Sequence, residues 1–236
     1  YAPILKHTFN GVVDTLTQEC DLLKAIKFVQ DTCIQMVDDK FDLNMFVISK
    51  TLREYYKDPE SIAHKVLAMR MAERDPGNKP ASNERIPYVY IKIDEKPGVT
   101  YLQGDRIEHI NYVREHRLQV DHPIYITKQL MKPISQIFEL VVTLLPGFMH
   151  TKDKTYFINL ENYYYNKFDG DLKKVAAKIS KIKSQFVQDI IFQPLIDYAN
   201  RKYNKVTVLD KWFIKNPTSG PKTEINDKTV DISKAI

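Results

Sequence analysis

The chain has 236 residues, of which 43% are hydrophobic and 28% are charged, a balance typical of a soluble globular protein with one large domain or one domain and an appendage. No apolar run approaches the roughly 20 residues that cross a membrane, and the start at Tyr1-Ala2-Pro3 without Met indicates a fragment or a processed product. Two cysteines, Cys20 and Cys33, exclude a disulfide framework and a four-cysteine zinc site, so we expect a reducing, intracellular compartment and no membrane partner.

The net charge of +5 is unevenly distributed along the chain. Residues 150–236 hold 16 Lys and Arg against 10 Asp and Glu, whereas residues 1–149 hold 19 against 20. A lysine excess of this kind is typical of a surface that binds a polyanion, or of a solubilising face. Composition alone slightly favours the solubilising face.

The first elements are two predicted helices, over residues 4–19 and 21–37. Asp21 is a suitable N-cap for the second helix, and apolar residues recur after it at helical spacing, which places Cys33 in the core. The short apolar run over residues 45–48 predicts a strand.

The next predicted helix starts at Asp58-Pro59-Glu60, which combines an N-cap, a proline and an acidic residue in the first turn. We expect it to end at Arg74, because Pro76 and Gly77 follow. Four residues at helical spacing are predicted to face inward: Ile62, Ala63, Val66 and Met69. Alternating residues over 85–93 then predict a strand.

Three further helices are predicted downstream. Residues 106–117 are expected to be helical at least in part. Asp121 opens a helix over residues 123–145, with a kink or break at Pro133. The strongest amphipathic pattern covers residues 172–200, where Pro194 is expected to bend or end the helix. After these elements, the polar segment 217–236 predicts a flexible tail.

Sequence features of stand-alone catalysis are missing. The seven glycines are scattered and form no phosphate-binding loop, and the histidines and cysteines show no metal-ligand spacing. We therefore predict no catalytic residue, no metal ligand and no cofactor in this chain.

Three motifs carry a resemblance to a known family. They are Ser49-Lys50-Thr51-Leu52, the segment from Ala68-Met69-Arg70-Met71 to Arg85-Ile86-Pro87-Tyr88-Val89, and the segment from Val120-Asp121 through Tyr125 to Gln129-Leu130. The chain resembles, over residues 1–145, the thumb region of family B DNA polymerases, above all the delta-like enzymes and those of large DNA viruses. Asn83-Glu84 stands where the family has Gly-Asp, and asparagine tolerates a left-handed turn almost as glycine does.

The resemblance implies a mostly helical thumb domain with a small β element, an α+β fold that grips duplex DNA and performs no chemistry. It also implies a set of DNA contacts, mainly to phosphates, which position the duplex without reading its sequence. These predicted DNA-binding residues are Lys50, Arg53, Arg74, Lys79, Arg85, Lys128 and Gln129. For Arg70, a DNA contact and a structural ion pair stay equally open.

The family's palm motifs and acidic exonuclease motifs do not occur in this sequence. We therefore expect the chain to need the palm and exonuclease portion of a polymerase as its partner, with Mg²⁺ held in that palm. Its own role would be to hold the primer–template duplex for DNA synthesis in a nucleus or at a viral replication site. The alternatives are a non-enzymatic DNA-binding or clamp-tethering accessory protein, and a helical protein without a nucleic-acid role.

The sequence also predicts a domain organisation. Residues 1–149 would form the thumb, residues 150–216 a Lys-rich helical extension similar to the ends of giant-virus polymerases, and residues 217–236 the tail. Within the extension, Leu209, Trp212 and Phe213 resemble a sliding-clamp peptide without its leading Gln. Packing of Trp212 and Phe213 against the thumb is an equally good interpretation.

Overall fold

The computed structural model describes residues 1–153 and 155–203. Helices dominate this part of the chain, and one small sheet accompanies them, which confirms the prediction of a mainly α fold with a small β element. The α-helices are α1 (Pro3–Asp14), α2 (Leu22–Val37), α3 (Ala63–Arg74), α4 (Ile110–His116), α5 (His122–Ile124), α6 (Met131–Glu139), α7 (Pro146–Thr151), α8 (Tyr156–Lys167) and α9 (Leu172–Val187). No helix among the described residues is long and apolar enough to cross a membrane.

The sheet has three antiparallel strands in the order β1 (Ile48–Thr51), β2 (Arg85–Tyr90) and β3 (Ile107–His109). Directly paired residues share a face of the sheet. One face therefore carries Tyr90 with its partner Ile107, and the other carries Val89 with its partner Glu108. All four of these side chains are buried, so both faces of the sheet are covered.

The chain divides into two compact units. The first unit comprises Tyr1–Asn10 and Asp38–Leu130, and the second comprises Gly11–Val37 and the residues from Met131 onward. The predicted organisation with a boundary near residue 149 is a functional division, and it stays a prediction. By their contacts within the structure, residues 131–149 belong to the same compact unit as α8 and α9.

The first unit is organised around Tyr125, which is fully buried. Its ring packs edge-on against Phe46, with centroids 5.1 Å apart, and against Tyr90, with centroids 5.6 Å apart. Its hydroxyl donates to the Phe46 carbonyl (2.6 Å) and accepts from the Tyr90 backbone N–H (3.0 Å). The Tyr125 side chain thus joins the 3-10 turn of residues 43–46, strand β2 and its own helical segment.

The second unit has an aromatic core between its helices. The Phe148 ring stacks on Phe157 of α8 at 5.3 Å and meets Phe186 of α9 edge-on at 5.5 Å. The predicted helix over residues 21–37 is confirmed as α2. At its start, the Asp21 carboxylate accepts a hydrogen bond from the Lys24 N–H (2.9 Å), as expected of an N-cap. Burial places Cys33 in the core and raises the pKa of its thiol to about 12.

The predicted bounds of the first strand, residues 45–48, and of the helix starting at Asp58 were wrong. The first strand covers Ile48–Thr51, because residues 43–46 form a 3-10 turn capped by the Asp42 carboxylate. Helix α3 begins only at Ala63, since the segment after Asp58 is a turn in which the Ser61 hydroxyl donates to the Asp58 carbonyl (3.0 Å).

The inward face of α3 differs in part from the prediction, since Ala63 is buried as predicted but Ile62 and Val66 are only half-buried. Met69 is exposed, and the buried residues are Ala63, Leu67 and Ala68. The physical reason is Arg70, one turn after Leu67, which reaches the buried Glu108 of β3. The Arg70–Glu108 ion pair thus connects this face of the helix to the sheet.

Neither of the two long predicted helices is a continuous α-helix. Tyr125–Leu130 is π-helical and precedes α6, and residues 142–144 form a separate 3-10 turn, so no single helix covers 123–145. Near Pro194 the outcome is different, because Gln188–Phe192 is π-helical and residues 193–203 continue as α-helix. A widened turn accommodates a residue without an N–H, so the proline does not end the helix.

Candidate nucleic-acid interface

The predicted contacts Lys50 and Arg85 lie at the same end of the β1–β2 pair. Lys50 is paired with Ile86, and Arg85 is paired with Thr51. Because consecutive strand residues alternate between faces, Lys50 and Arg85 project to opposite faces of this strand end. Both side chains are exposed, and an Arg85 guanidinium nitrogen donates to the Ser49 carbonyl (3.1 Å).

The backbone after β1 is held by hydrogen bonds to the chain before β2. The Leu52 N–H donates to the Glu84 carbonyl (2.8 Å), and the Asn83 N–H donates to the Leu52 carbonyl (2.7 Å). Asn83 has φ +68°, the left-handed conformation expected at the position where the family has glycine. The turn at Asn83 thus fixes the backbone at the strand end that carries Lys50 and Arg85.

Arg53 is positioned by Tyr56 and His64. The Tyr56 hydroxyl accepts from the Arg53 N–H (2.7 Å) and lies 3.0 Å from His64 Nε2. The Tyr56 and His64 rings meet edge-on with centroids 5.8 Å apart. Sequence reasoning gave neither residue a role, because Tyr56 lies in an irregular turn that no periodic pattern marks.

The pKa of His64 depends on its burial and on the charges around it. Burial lowers the pKa of His64, the positive charge of Lys50 lowers that pKa further, and the charge of Arg53 lowers it by a smaller amount. A hydrogen bond with the Thr51 backbone acts in the opposite direction. We call Lys50, Arg53, His64 and Arg85 the strand-end cluster; its three permanent cations are exposed.

Acidic residues near the strand-end cluster do not neutralise it. Within the described residues, no ion pair involves Lys50, Arg53 or Arg85. The carboxylate of Glu84 instead accepts from the Ala81 N–H (2.8 Å) in its own turn. The cluster therefore presents unpaired positive charge to solvent, which is what binding to phosphates requires.

Replacing Lys50 with methionine should raise the pKa of His64, because a cation that disfavours the charged imidazolium is removed. An NMR titration of the His64 ring signals against pH measures this change. Lys57→Met is the matched control, since Lys57 is exposed, lies in the same segment and does not influence the pKa of His64. An unchanged pKa in Lys50→Met would mean that the two groups are not close in solution.

Arg74 has a partner within the first unit. Its guanidinium lies 2.9 Å from the Glu108 carboxylate and 3.8 Å from the centroid of the Tyr112 ring. The bond to Glu108 raises the pKa of Arg74. Arg70 lies 3.2 Å from the same carboxylate and also donates to the carbonyls of Gly104 and Ile107, so the structural interpretation of Arg70 is the better one. A DNA contact by Arg74 stays a prediction.

The remaining predicted DNA contacts lie in other parts of the first unit. Lys79 is exposed directly after the turn Pro76–Asn78, whose start is capped by the Asp75 carboxylate. Lys128 is exposed on the π-helical turn Tyr125–Leu130. Gln129 is half-buried, and its side-chain oxygen is fully buried without a hydrogen-bond partner. A contact with a phosphate would have to come from the amide nitrogen, because the oxygen is an acceptor.

The predicted clamp peptide, Leu209, Trp212 and Phe213, lies outside the described residues, as does the segment 217–236. In the described part of the chain, no three His, Cys, Asp or Glu side chains converge as a metal site would require.

Comparisons with known proteins give the same family as the sequence motifs. Residues 1–141 match the sequence profile described as DNA polymerase family B. A DNA polymerase from Pyramimonas orientalis virus is 38% identical over 201 residues, which are 85% of this chain and 16% of that protein. A DNA polymerase from Acanthamoeba polyphaga mimivirus is 44% identical over 160 residues, which are 67% of this chain and 9% of that protein.

A cellular relative matches a shorter stretch. The DNA polymerase delta catalytic subunit of Candida albicans is 31% identical over 135 residues, which are 57% of this chain and 12% of that protein. The chain thus spans less than a fifth of the length of each of these three relatives. The match to the Pyramimonas orientalis virus polymerase covers 201 of the 236 residues of this chain, so it includes part of the Lys-rich segment 150–216.

Proposed function

Since the chain belongs to DNA polymerase family B, we propose that it is the thumb and C-terminal portion of a virus-type polymerase. In this role it holds the primer–template duplex through its phosphates, while a palm in another part of the enzyme performs nucleotidyl transfer. The observation that carries the proposal is the strand-end cluster, whose exposed cations have no acidic partner among the described residues.

The geometry of the cluster suits a grip on a backbone better than the reading of bases. Lys50 and Arg85 project from opposite faces of one strand end, so they can reach phosphates on either side of it. Arg53 extends from a backbone that Tyr56 fixes. Lysine and arginine contacts to phosphates position a duplex without selecting its sequence, as a replicative enzyme needs.

Partners and location are part of the same proposal. The palm and exonuclease portion of the polymerase would supply the acidic residues and the Mg²⁺ of catalysis. A sliding clamp is a further proposed partner, through Leu209, Trp212 and Phe213. A nucleus or a viral replication site would be the place of action.

A duplex-binding experiment tests the proposal. The variant Lys50→Gln/Arg85→Gln should bind a fluorescent blunt duplex about tenfold more weakly in anisotropy titrations, because two phosphate contacts are lost. The control Lys40→Gln/Lys96→Gln removes the same charge from exposed sites of the same unit and should bind as the wild type does. Equal losses in both variants would contradict a specific grip by the cluster.

The rival function, a DNA-binding accessory without a polymerase role, predicts the same duplex binding. Primer extension separates the two. If a palm and exonuclease polypeptide of this polymerase type regains primer extension on addition of the wild-type chain, but not of Lys50→Gln/Arg85→Gln, the thumb proposal holds. Failure of the wild-type chain to restore extension would favour the accessory protein.

A further inference from the structure

A surface of the second unit combines tyrosine rings with lysine ammonium groups on α8 and α9. Tyr163 is 56% exposed, and its ring meets Tyr164 edge-on with centroids 5.1 Å apart. Lys167 Nζ lies 5.7 Å from the Tyr163 centroid and 6.0 Å from the Tyr164 centroid. Lys178 Nζ of α9 lies 5.6 Å from the Tyr164 centroid. These four residues form what we call the Tyr–Lys surface.

The lysines of the Tyr–Lys surface are not neutralised. Over residues 1–153 and 155–203, ion pairs involve Lys174, which lies 3.1 Å from Asp171, but neither Lys167 nor Lys178. Lys181 follows Lys178 by almost one helical turn and also has no ion pair in this part of the chain. The surface therefore carries positive charge that only a partner or solvent can balance.

Packing within the second unit does not explain the exposed tyrosine. Helix α8 contributes Phe157 to the core, where this ring stacks on Phe148 and meets Phe186 edge-on. Tyr163 lies six residues further along the helix and remains mostly exposed. A large aromatic ring beside lysines that form no ion pair is therefore available for binding.

The lysine–ring contacts are weak enough to be exchanged. Separations of 5.6 to 6.0 Å lie close to the outer limit of about 6 Å for a cation–π interaction, and such contacts at exposed sites contribute little. A flexible ammonium group can therefore turn to a phosphate while a base takes its place on the ring. Stacked bases and neutralised phosphates are the two interactions that sites for single strands combine.

We propose that the Tyr–Lys surface binds single-stranded nucleic acid. A duplex would use the lysines but hides its base faces, and an acidic peptide would use the lysines but not the rings. The inference goes beyond the proposed duplex grip, because it assigns a different nucleic-acid form to residues of the other compact unit. The result is a second binding site with its own selectivity.

Anisotropy titrations with a single-stranded oligonucleotide of about twelve nucleotides test this site. Tyr163→Ala should weaken binding about fivefold to tenfold through loss of base stacking, and Tyr163→Phe should retain wild-type affinity. Lys167→Gln/Lys178→Gln should weaken binding through lost phosphate contacts. Tyr165→Ala is the matched control, because Tyr165 is 48% exposed on the same helix and no lysine–ring contact of the described residues involves it.

An abasic strand of equal length distinguishes stacking from simple charge attraction. The wild-type chain should bind it more weakly than the base-containing strand, and Tyr163→Ala should bind both strands alike. Equal wild-type affinity for the two strands, or no effect of Tyr163→Ala, would overturn the proposal. Lys50→Gln/Arg85→Gln should keep its affinity for the single strand, so failure of the duplex grip and failure of this site give different results.

Discussion

Replacing Arg70 with methionine should lower the free energy of unfolding by about 3 kcal/mol. The Glu108 side chain is only 2% exposed, and it forms ion pairs with Arg70 and Arg74. These two arginines lie one turn apart on the same face of α3. Removal of the Arg70 guanidinium leaves the buried Glu108 carboxylate with one of its two arginine partners. The loss of a partner from a buried charge costs more stability than the intact pair contributes. The variant also loses the bonds from Arg70 to the carbonyls of Gly104 and Ile107.

Urea unfolding followed by far-UV circular dichroism measures this loss. Arg106→Met is the matched control, because the Arg106–Glu95 pair has side chains that are 26% and 56% exposed. Because its carboxylate is exposed, the Arg106–Glu95 pair should contribute only about 1 kcal/mol or less. Similar losses in Arg70→Met and Arg106→Met would show that the Glu108 pairing does not hold the first unit together.

The removal of a single oxygen in Tyr125→Phe should cost about 2 to 4 kcal/mol of unfolding free energy. The hydroxyl is buried, and burial raises the pKa of Tyr125 far above its ordinary value. Without it, the Phe46 carbonyl and the Tyr90 N–H each lose a partner inside the core. Each unsatisfied buried group costs about 1 to 3 kcal/mol.

The same urea titration applies to this variant, with Tyr88→Phe as the control. Tyr88 is also buried, and its hydroxyl makes no hydrogen bond that the structure records among residues 1–153 and 155–203. We expect this control to lose less than about 1 kcal/mol. A small loss in Tyr125→Phe would mean that water replaces the hydroxyl and that Tyr125 is not the central residue of the unit.

Local sequence patterns were sufficient to predict those elements whose bounds depend on residues within or next to the element. Helix α2 follows from Asp21 as a cap and from the apolar spacing that includes Cys33, and both features lie within the helix or beside it. Alternation over residues 85–93 likewise predicted strand β2, which ends at Tyr90. The left-handed turn at Asn83 was predictable because asparagine stands at the family's glycine position.

Contacts between distant segments could not be predicted in this way. The inward face of α3 depends on Glu108, which lies 38 residues beyond Arg70 in sequence. The role of Tyr56 depends on where the chain places the Arg53 N–H and His64. The resemblance named Lys50, Arg53 and Arg85 as DNA contacts, but only the strand register shows that Lys50 and Arg85 project to opposite faces.

The salt dependence of blunt-duplex binding tests the proposed grip most directly. If Lys50, Arg53 and Arg85 each contact one phosphate, they alone should give a slope of about −3 for the logarithm of the affinity against the logarithm of salt concentration, and any contacts by Arg74, Lys79 and Lys128 would make the slope steeper. The slope should be the same for duplexes of unrelated sequence, and Lys50→Gln should reduce its magnitude by about one. A slope near zero, or one that Lys50→Gln leaves unchanged, would contradict the grip by the strand-end cluster.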